Sequence, residues 1–486
     1  MKKVLLIIVV IASHIVCYSQ VENEWDNFSN QSNEQFGQFK KTVDDRFESF
    51  RAQINKEYAA FMAEKWSPFD ACEKIDIPWR PEPPRPRMWD PKHGHKAEPI
   101  PFITPKTPKP LPVPQPIEPI KPKKKPDGPT RNVQLFGTDF SFHYDKSRLL
   151  ELDDVTEQSV ANMWTNLSND FFDNIIVECL QHRDRKHLCD WAYFLLTQKV
   201  SEDYCGVGSN ESVVMHMYLL TQSGYQVRLA RGASKLTVLI GSEETIYRCS
   251  YFELSGMKYY LMNPSWEENR LYIFNHAFPK EQSFSLVSTQ PDFAVYPTAD
   301  RTIVSRRYPN VKATIKTNRN LIDFYSSYPL SSQWQFYSMA SLSKALKDKL
   351  YPVLREAIKG KSETEAANIL INFVQTGFEY ATDDQQFGYE RPLFPDETFY
   401  YPYSDCEDRA ILYSCLVREL MGLEVVLLHY PGHLASAVHF NENVEGDYLI
   451  VEGDKYIVCD PTYIGASIGM CMPDFKKVTA NVVRFN

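Results

Sequence analysis

The sequence predicts an α+β fold, on two observations. From about residue 132 onwards, strand-like runs alternate with helical patterns in a chain of globular composition. Within that region one unit recurs. Each copy reads as helix, glycine stop, strand, short turn, strand, then a third strand ending in Asp-Pro or Asn-Pro. The chain has 486 residues and is 43% apolar, enough for about two to four cores. Its net charge of -9 is mild and argues against a dedicated nucleic-acid binder.

The N-terminus, MKKVLLIIVVIASHIVCYSQ, has Lys2 and Lys3 before a short apolar run from Val4 to Val16. Cys17 and Ser19 then supply small residues where a signal peptidase reads. This predicts a cleaved signal at 1–19, with export to the periplasm, the cell envelope or the medium. Cys17 also offers a lipoprotein anchor, but His14, Ile15 and Val16 are bulky where such signals carry small residues. No later run is long and apolar enough for a transmembrane helix. Nine of the ten cysteines lie beyond the signal, an odd number. At least one thiol therefore lacks an intrachain partner. A free Cys406 with eight paired cysteines fits that arithmetic, and so do several buried free thiols.

The segment 20–70 is expected to hold one long amphipathic helix. Phe36, Phe39, Val43, Phe47, Phe50, Ile54, Tyr58 and Phe61 follow one another at steps of 3 or 4. Between 36 and 61 the pattern repeats every 11 residues, which favours a nearly straight packing seam. The stripe either lies on the protein's own body or serves self-association or an envelope partner. Residues 71–131 are expected to be a linker. The stretch 78–131 holds 18 prolines and reads as polyproline II, reaching on the order of 160 Å. It carries twelve Lys or Arg against five Asp or Glu. It reads as a solvated spacer or as a basic stalk skimming an anionic surface. His93 and His95 flank a glycine there, a weak metal signal in a flexible segment.

The recurring unit appears when CEDRAILYSCLVRELMGLEVVLLHYPGHLASAV, 406–438, is slid back 198 residues onto 208–240. Gly422 meets Gly224, and LEVVLL meets YQVRLA. Further on, YIVCDPT at 456–462 matches YYLMNPS at 259–265. Cys406 aligns with Gly208, His433 with Lys235 and Asp460 with Asn263. Two domains follow, at 132–290 and 291–486.

In the second copy the three positions can form a nucleophile, a base and an orienter. Cys406 opens a helical run that Gly422 stops, with Ser404 or Asp405 able to cap it. The dipole at a helix start lowers a thiol's pKa, while Asp405, Glu407 and Asp408 oppose that. His433 follows a Pro-Gly turn and opens the strand HLASAV, and imidazole is the usual partner of a catalytic thiol. Asp460 ends the strand KYIVCD before Pro461 and can hold the imidazole in one tautomer. The spacing is 27 residues from Cys406 to His433 and 27 more to Asp460. His429 and His439 are rival bases of lower rank. Each residue also has a plain structural reading: a small buried cysteine, a satisfied histidine, an Asx turn before proline. Phe399, Tyr400, Tyr401 and Tyr403 either line the cleft or belong to the core.

SDCEDRAILYSCL, PGHLASAV and CDPTYIGASIG together resemble the transglutaminase-like cysteine protease superfamily, whose core is papain-like. The resemblance covers roughly 360–475, and 180–265 only faintly through the degenerate copy. Cys406, His433 and Asp460 fall on that family's catalytic positions. The family's aromatic residue two after the histidine is Ala435 here, which puts the substrate class in doubt. The resemblance implies acyl transfer through a thioester on a peptide or protein substrate: peptide or amide hydrolysis, deamidation, or amine transfer. It implies no cofactor and no metal. A non-catalytic envelope binding or scaffold protein stands beside this reading, because the first copy lacks the triad.

Overall fold

The computed structural model describes residues 34–78, 80, 81, 83, 85–92, 94–103, 112–118, 120, 121, 128–331 and 333–485. The expected signal at 1–19 lies outside these. By compactness the chain divides at Phe61, and residues from Met62 onwards form one unit. No helix among the described residues is long and apolar enough to cross a membrane.

The described part of the N-terminal unit is helical, in a helix that runs over 34–62; the expected helix before 34 lies outside the described residues. Phe36, Phe39 and Phe50 on its aromatic stripe are exposed. The helix stops well short of 70. Ser67–Asp70 is instead a strand, paired antiparallel with Arg270–Phe274. Pro68 within it accounts for the change, since proline cannot sit in a helix interior and is accepted at a sheet edge.

The larger unit is mixed α+β. It holds two six-stranded sheets with the same strand order. The first runs Ser67–Asp70, Arg270–Phe274, Val227–Arg231, Leu236–Ser242, Met257–Leu261, Tyr251–Leu254. The second runs Phe102–Ile103, Ala480–Arg484, Glu424–Tyr430, His433–His439, Asp454–Cys459, Tyr448–Val451. Each position in one list has its counterpart in the other. One difference is the edge strand, antiparallel in the first sheet and parallel in the second. Before each sheet's central hairpin comes a helix, Asn210–Gln222 in the first and Cys406–Met421 in the second. Both helices stop at a glycine with positive φ, 91° at Gly224 and 68° at Gly422, a conformation that costs glycine little.

The second sheet is covered on both faces, which is why its strands read as continuous apolar runs. Val425, Val438, Ile457 and Cys459 pack under Leu412 and Leu416 of the Cys406 helix. Val426, Leu428, Ala437 and Tyr456 on the other face pack with Phe475 and Ile100.

Ile100 comes from the proline-rich stretch, and here the structure departs from the expected free linker. Phe102–Ile103 adds a strand beside Ala480–Asn481. The Trp89 amide donates to the Ile464 carbonyl at 2.9 Å, and the Ile464 amide to the Arg87 carbonyl at 2.8 Å. Glu98 donates its amide to Asp447 Oδ1 at 2.9 Å. Arg183 reaches the Pro114 carbonyl at 3.1 Å. Thr130–Leu135 already forms a hairpin with Thr138–His143. Extended proline-rich backbone keeps its carbonyls and many amides unpaired, so it can add to edges and loops that offer partners. His95 lies 3.6 Å from Asp447; His93 is outside the described residues. None of the nine described cysteines is in a disulfide.

Candidate active site

Cys406 is the first residue of its helix, and the helix start is built by its acidic neighbours. Asp405 occupies the N-cap position. Its amide donates to Asp408 Oδ2 at 3.2 Å, while Asp408 Oδ1 accepts from Leu393 at 2.9 Å. Asp408 thus closes the first turn as in a capping box. Arg409, one residue on, is buried and satisfied by the Phe378 carbonyl at 2.9 Å and Ser404 Oγ at 3.2 Å. These bonds fix the turn that carries the thiol.

His433 opens its strand after the Pro431-Gly432 turn, and it faces Tyr430 in the ladder. Its Nε2 lies 2.9 Å from Asp460 Oδ2. The ring stacks on Phe475, centroids 4.5 Å apart at 19°. Asp460 follows the strand Asp454–Cys459, and its other oxygen accepts from the Thr462 amide at 2.9 Å. That Asx turn holds the carboxylate in place. Nδ1 of His433 takes no partner among the described residues. With Nε2 committed to Asp460, Nδ1 is the nitrogen left to exchange a proton. The amide of Leu434, the next residue, lies near enough to the Cys406 sulfur to draw its pKa down. The start of the strand and the start of the helix therefore meet at the thiol.

The thiol is not poised as a thiolate in this state. Cys406 Sγ donates to Glu407 Oε2 at 3.0 Å. Burial pushes its pKa well above the ordinary thiol range, the neighbouring Glu407 and Asp405 carboxyls add to that, and the Leu434 amide only partly offsets them. The expected gain from the helix dipole loses to desolvation and two carboxyls.

Five buried or half-buried carboxyls crowd this helix start: Asp383, Glu390, Asp405, Glu407 and Asp408. Burial, then the Glu407 charge, raises Glu390 and Asp408 to about 8. Burial first, with neighbouring acids, also raises Asp383 and Asp405 well above the carboxylate range. Glu407 moves the other way. Burial opposes its charge, but hydrogen bonds from Glu390, Cys406 and Asp405 and the attraction of Arg80 hold it below the usual value. The group resolves into one charged carboxylate among protonated neighbours, as like charges in a low dielectric must. Both oxygens of Asp405 lack an N–H or hydroxyl donor among the described residues. One oxygen each of Asp383, Asp405 and Asp408 lies within 4.8 Å of the others. These are the residues able to hold a hard divalent cation, which takes carboxylate oxygens.

Access to Cys406 and His433 is closed. Cys406 is 1% exposed and His433 2%. Arg80, Pro81 and Pro83 of the proline-rich stretch, with Trp334, Glu390 and Gly432, enclose a residual cavity of about 10 Å³ beside His433, room for one water at most.

Of the rival bases, His439 is engaged away from the cavity, while His429 lines it beside His433. His439, at the far end of the same strand, bonds the Lys455 carbonyl at 3.0 Å. His429 packs edge-on against Trp334, centroids 5.7 Å apart. The aromatic run does not line the cavity. Phe399 is core against Phe378, Tyr400 meets Arg319, and Tyr403 is exposed. The ring at the cleft is Trp334.

Sequence reasoning also missed Gln375. Its Nε2 donates to the carbonyls of Tyr463 at 2.8 Å and Ala466 at 3.0 Å. Its Oε1 accepts from Gly465 at 3.2 Å. It thereby pins the loop after Asp460 from a helix 85 residues earlier. A buried glutamine on an apolar helix was the available signal.

In the first copy, Gly208, Lys235 and Asn263 line an open cleft of about 680 Å³. Asn263 keeps the Asx turn, accepting from Ser265 at 3.0 Å. Neither a thiol nor an imidazole stands at the matching positions. No family model, no curated protein and no solved structure matches this chain.

Proposed function

We propose that the chain is an exported thiol-dependent acyl-transfer enzyme of the transglutaminase-like, papain-like kind, hydrolysing a peptide or amide bond. The observation that carries this reading is the His433–Asp460 pair, 2.9 Å apart, on a strand start whose next amide, Leu434, draws down the pKa of the helix-start Cys406 thiol.

Nδ1 of His433 takes the Cys406 proton as sulfur attacks the substrate carbonyl carbon. Asp460 holds the imidazolium through Nε2. Amides at the helix start stabilise the oxyanion. Collapse expels the amine, which leaves with the proton from His433, and a thioester remains on Cys406. Water then attacks that thioester, giving up a proton to His433, and the acid is released with the thiol restored. A primary amine in place of water gives a transferred product instead.

The test is digestion of a peptide library by the full-length protein, read as new termini by mass spectrometry. Cys406→Ser and His433→Ala should each abolish them. Added primary amine incorporated in place of water moves the assignment to crosslinking. No new termini from the wild type or from a chain with an opened cleft leaves the scaffold reading.

A further inference from the structure

The lining of the closed cleft has a feature that acyl transfer does not require. Three groups converge on one guanidinium. Arg80 Nη1 lies 2.5 Å from Glu390 Oε1 and 3.6 Å from Glu407 Oε1. Its Cζ sits 4.1 Å above the Trp334 ring. Carboxylates at the edge and an indole at the face match a planar cation better than a compact ammonium. The same residues wall the cavity shared with His433 and Leu434.

The segment beyond Arg80 behaves like a bound peptide. The Pro81 carbonyl lies against Gly432, so close that a Cβ there would sit 2.8 Å from it. Further along, residues 87–89 bridge in parallel to Ile464, four residues past Asp460. The segment thus passes from the helix-start acids, over Gly432 beside His433, to the loop that carries Asp460. Backbone hydrogen bonds at Arg87 and Trp89 fix its far end, and one side chain fills a specific cage at the near end. Extended peptides are recognised in this way, with the main chain giving affinity and pockets giving selectivity.

We propose that Trp334, Glu390 and Glu407 form the substrate's subsite for an arginine side chain, and that the Arg80 segment occupies it as the chain's own pseudo-substrate. The substrate class follows: an extended peptide with arginine in the cage and its backbone along Gly432 and Ile464. Proline just after the arginine in this chain, Pro81 and Pro83, places tertiary amides along the cleft, and these are poor acyl donors in an extended backbone. This deepens the reading of Cys406, His433 and Asp460 as the reacting groups and rests on it.

The experiment uses the full-length chain with Arg80→Glu, and Arg80→Gln as a milder second variant. The first readout is the iodoacetamide labelling rate of Cys406, located by peptide mass. Displacing the segment should raise it about tenfold or more, while Cys415 and Cys459, both core residues, stay protected and certify an intact fold. The second readout is binding of a fluorescent synthetic peptide of residues 78–90 to the Arg80→Gln chain. Binding should be lost when that peptide carries Arg80→Ala, and weakened about tenfold or more in a chain that also carries Glu390→Gln. Equal Cys406 labelling in wild type and both variants, or equal binding of the peptide lacking arginine, overturns the proposal. Neither readout needs turnover. If the cleft opens and binds as stated while His433→Ala leaves the pH dependence of labelling unchanged, the subsite stands and the catalytic assignment falls.

Discussion

The Cys406 thiol donates its hydrogen to Glu407, its own neighbour on the helix, at 3.0 Å. A thiol that donates its hydrogen to a carboxylate is protonated. Glu407 keeps its charge because Glu390 and Asp405 donate to it and Arg80 faces it, so the covering segment and the thiol's protonation are linked through one side chain.

Glu407→Gln in the Arg80→Gln background should move the Cys406 labelling profile to lower pH. Burial would still raise the thiol, but the nearest negative charge would be gone. A downward shift of about one unit is expected, measured by iodoacetamide labelling across pH. An unchanged profile would mean that desolvation alone sets the thiol's state.

Asp460→Asn keeps the oxygen that accepts from Thr462 and removes the charge facing His433. The fold should survive, while turnover falls about 10²- to 10⁴-fold. The check is the rate of new-terminus formation on any peptide the wild type cleaves, alongside an unchanged thermal transition.

Gln375→Ala removes two donors and one acceptor from buried loop groups at Tyr463, Ala466 and Gly465. Unpaired buried backbone groups cost about 1–3 kcal/mol each before relaxation. A loss of roughly 2 kcal/mol in denaturant unfolding is expected, with slower acyl transfer because the Asp460 loop is no longer pinned. Lost stability with unaltered turnover would assign Gln375 to the fold alone.

The buried acids make stability pH-dependent. Asp408 and Glu390 have folded pKa values of about 8, above those of ordinary carboxyls, because burial and then Glu407 disfavour their charge. The stability they contribute is fully present below about pH 4 and is lost as pH rises through about 8. The unfolding midpoint should therefore fall between pH 5 and about pH 8, and Asp408→Asn should flatten that fall. Differential scanning calorimetry across the range is the measurement, and a midpoint that rises over it would contradict the assignment.

Much of the site's skeleton could be read from the sequence. The helix from Cys406 to the Gly422 stop, the hairpin around Pro431-Gly432, and the strand before Asp460 each have strong local signals, in apolar spacing and turn residues. What could not be read is long-range and lacks periodicity. Arg80 meets Glu390 across 310 residues, and proline-rich composition says that a segment is extended without saying what it lies on. The helix dipole at Cys406 was legible, but the degree of burial that outweighs it was not. The strand at Ser67–Asp70 was hidden because it is only four residues long and follows closely on the stripe that ends at Phe61.

Each sheet has at one edge a strand that precedes all of its other strands in the chain. Ser67–Asp70 waits for Arg270–Phe274, and Phe102–Ile103 waits for Ala480–Arg484. Closing loops that long is slow, since the entropy of closure comes before any contact rewards it. During synthesis the proline-rich stretch emerges hundreds of residues ahead of its partner. Prolines that deny it helix and sheet of its own also keep it from pairing with the wrong strand in the interval. The final strand sits between Glu424–Tyr430 and Phe102–Ile103, so the second sheet is completed only when residues near 484 arrive. The nascent protein therefore passes through a stage with its thiol helix made and its second sheet one strand short. Arg80 is already made when Trp334, Glu390 and Glu407 emerge, so the tethered arginine meets its cage at high effective concentration ahead of any free peptide.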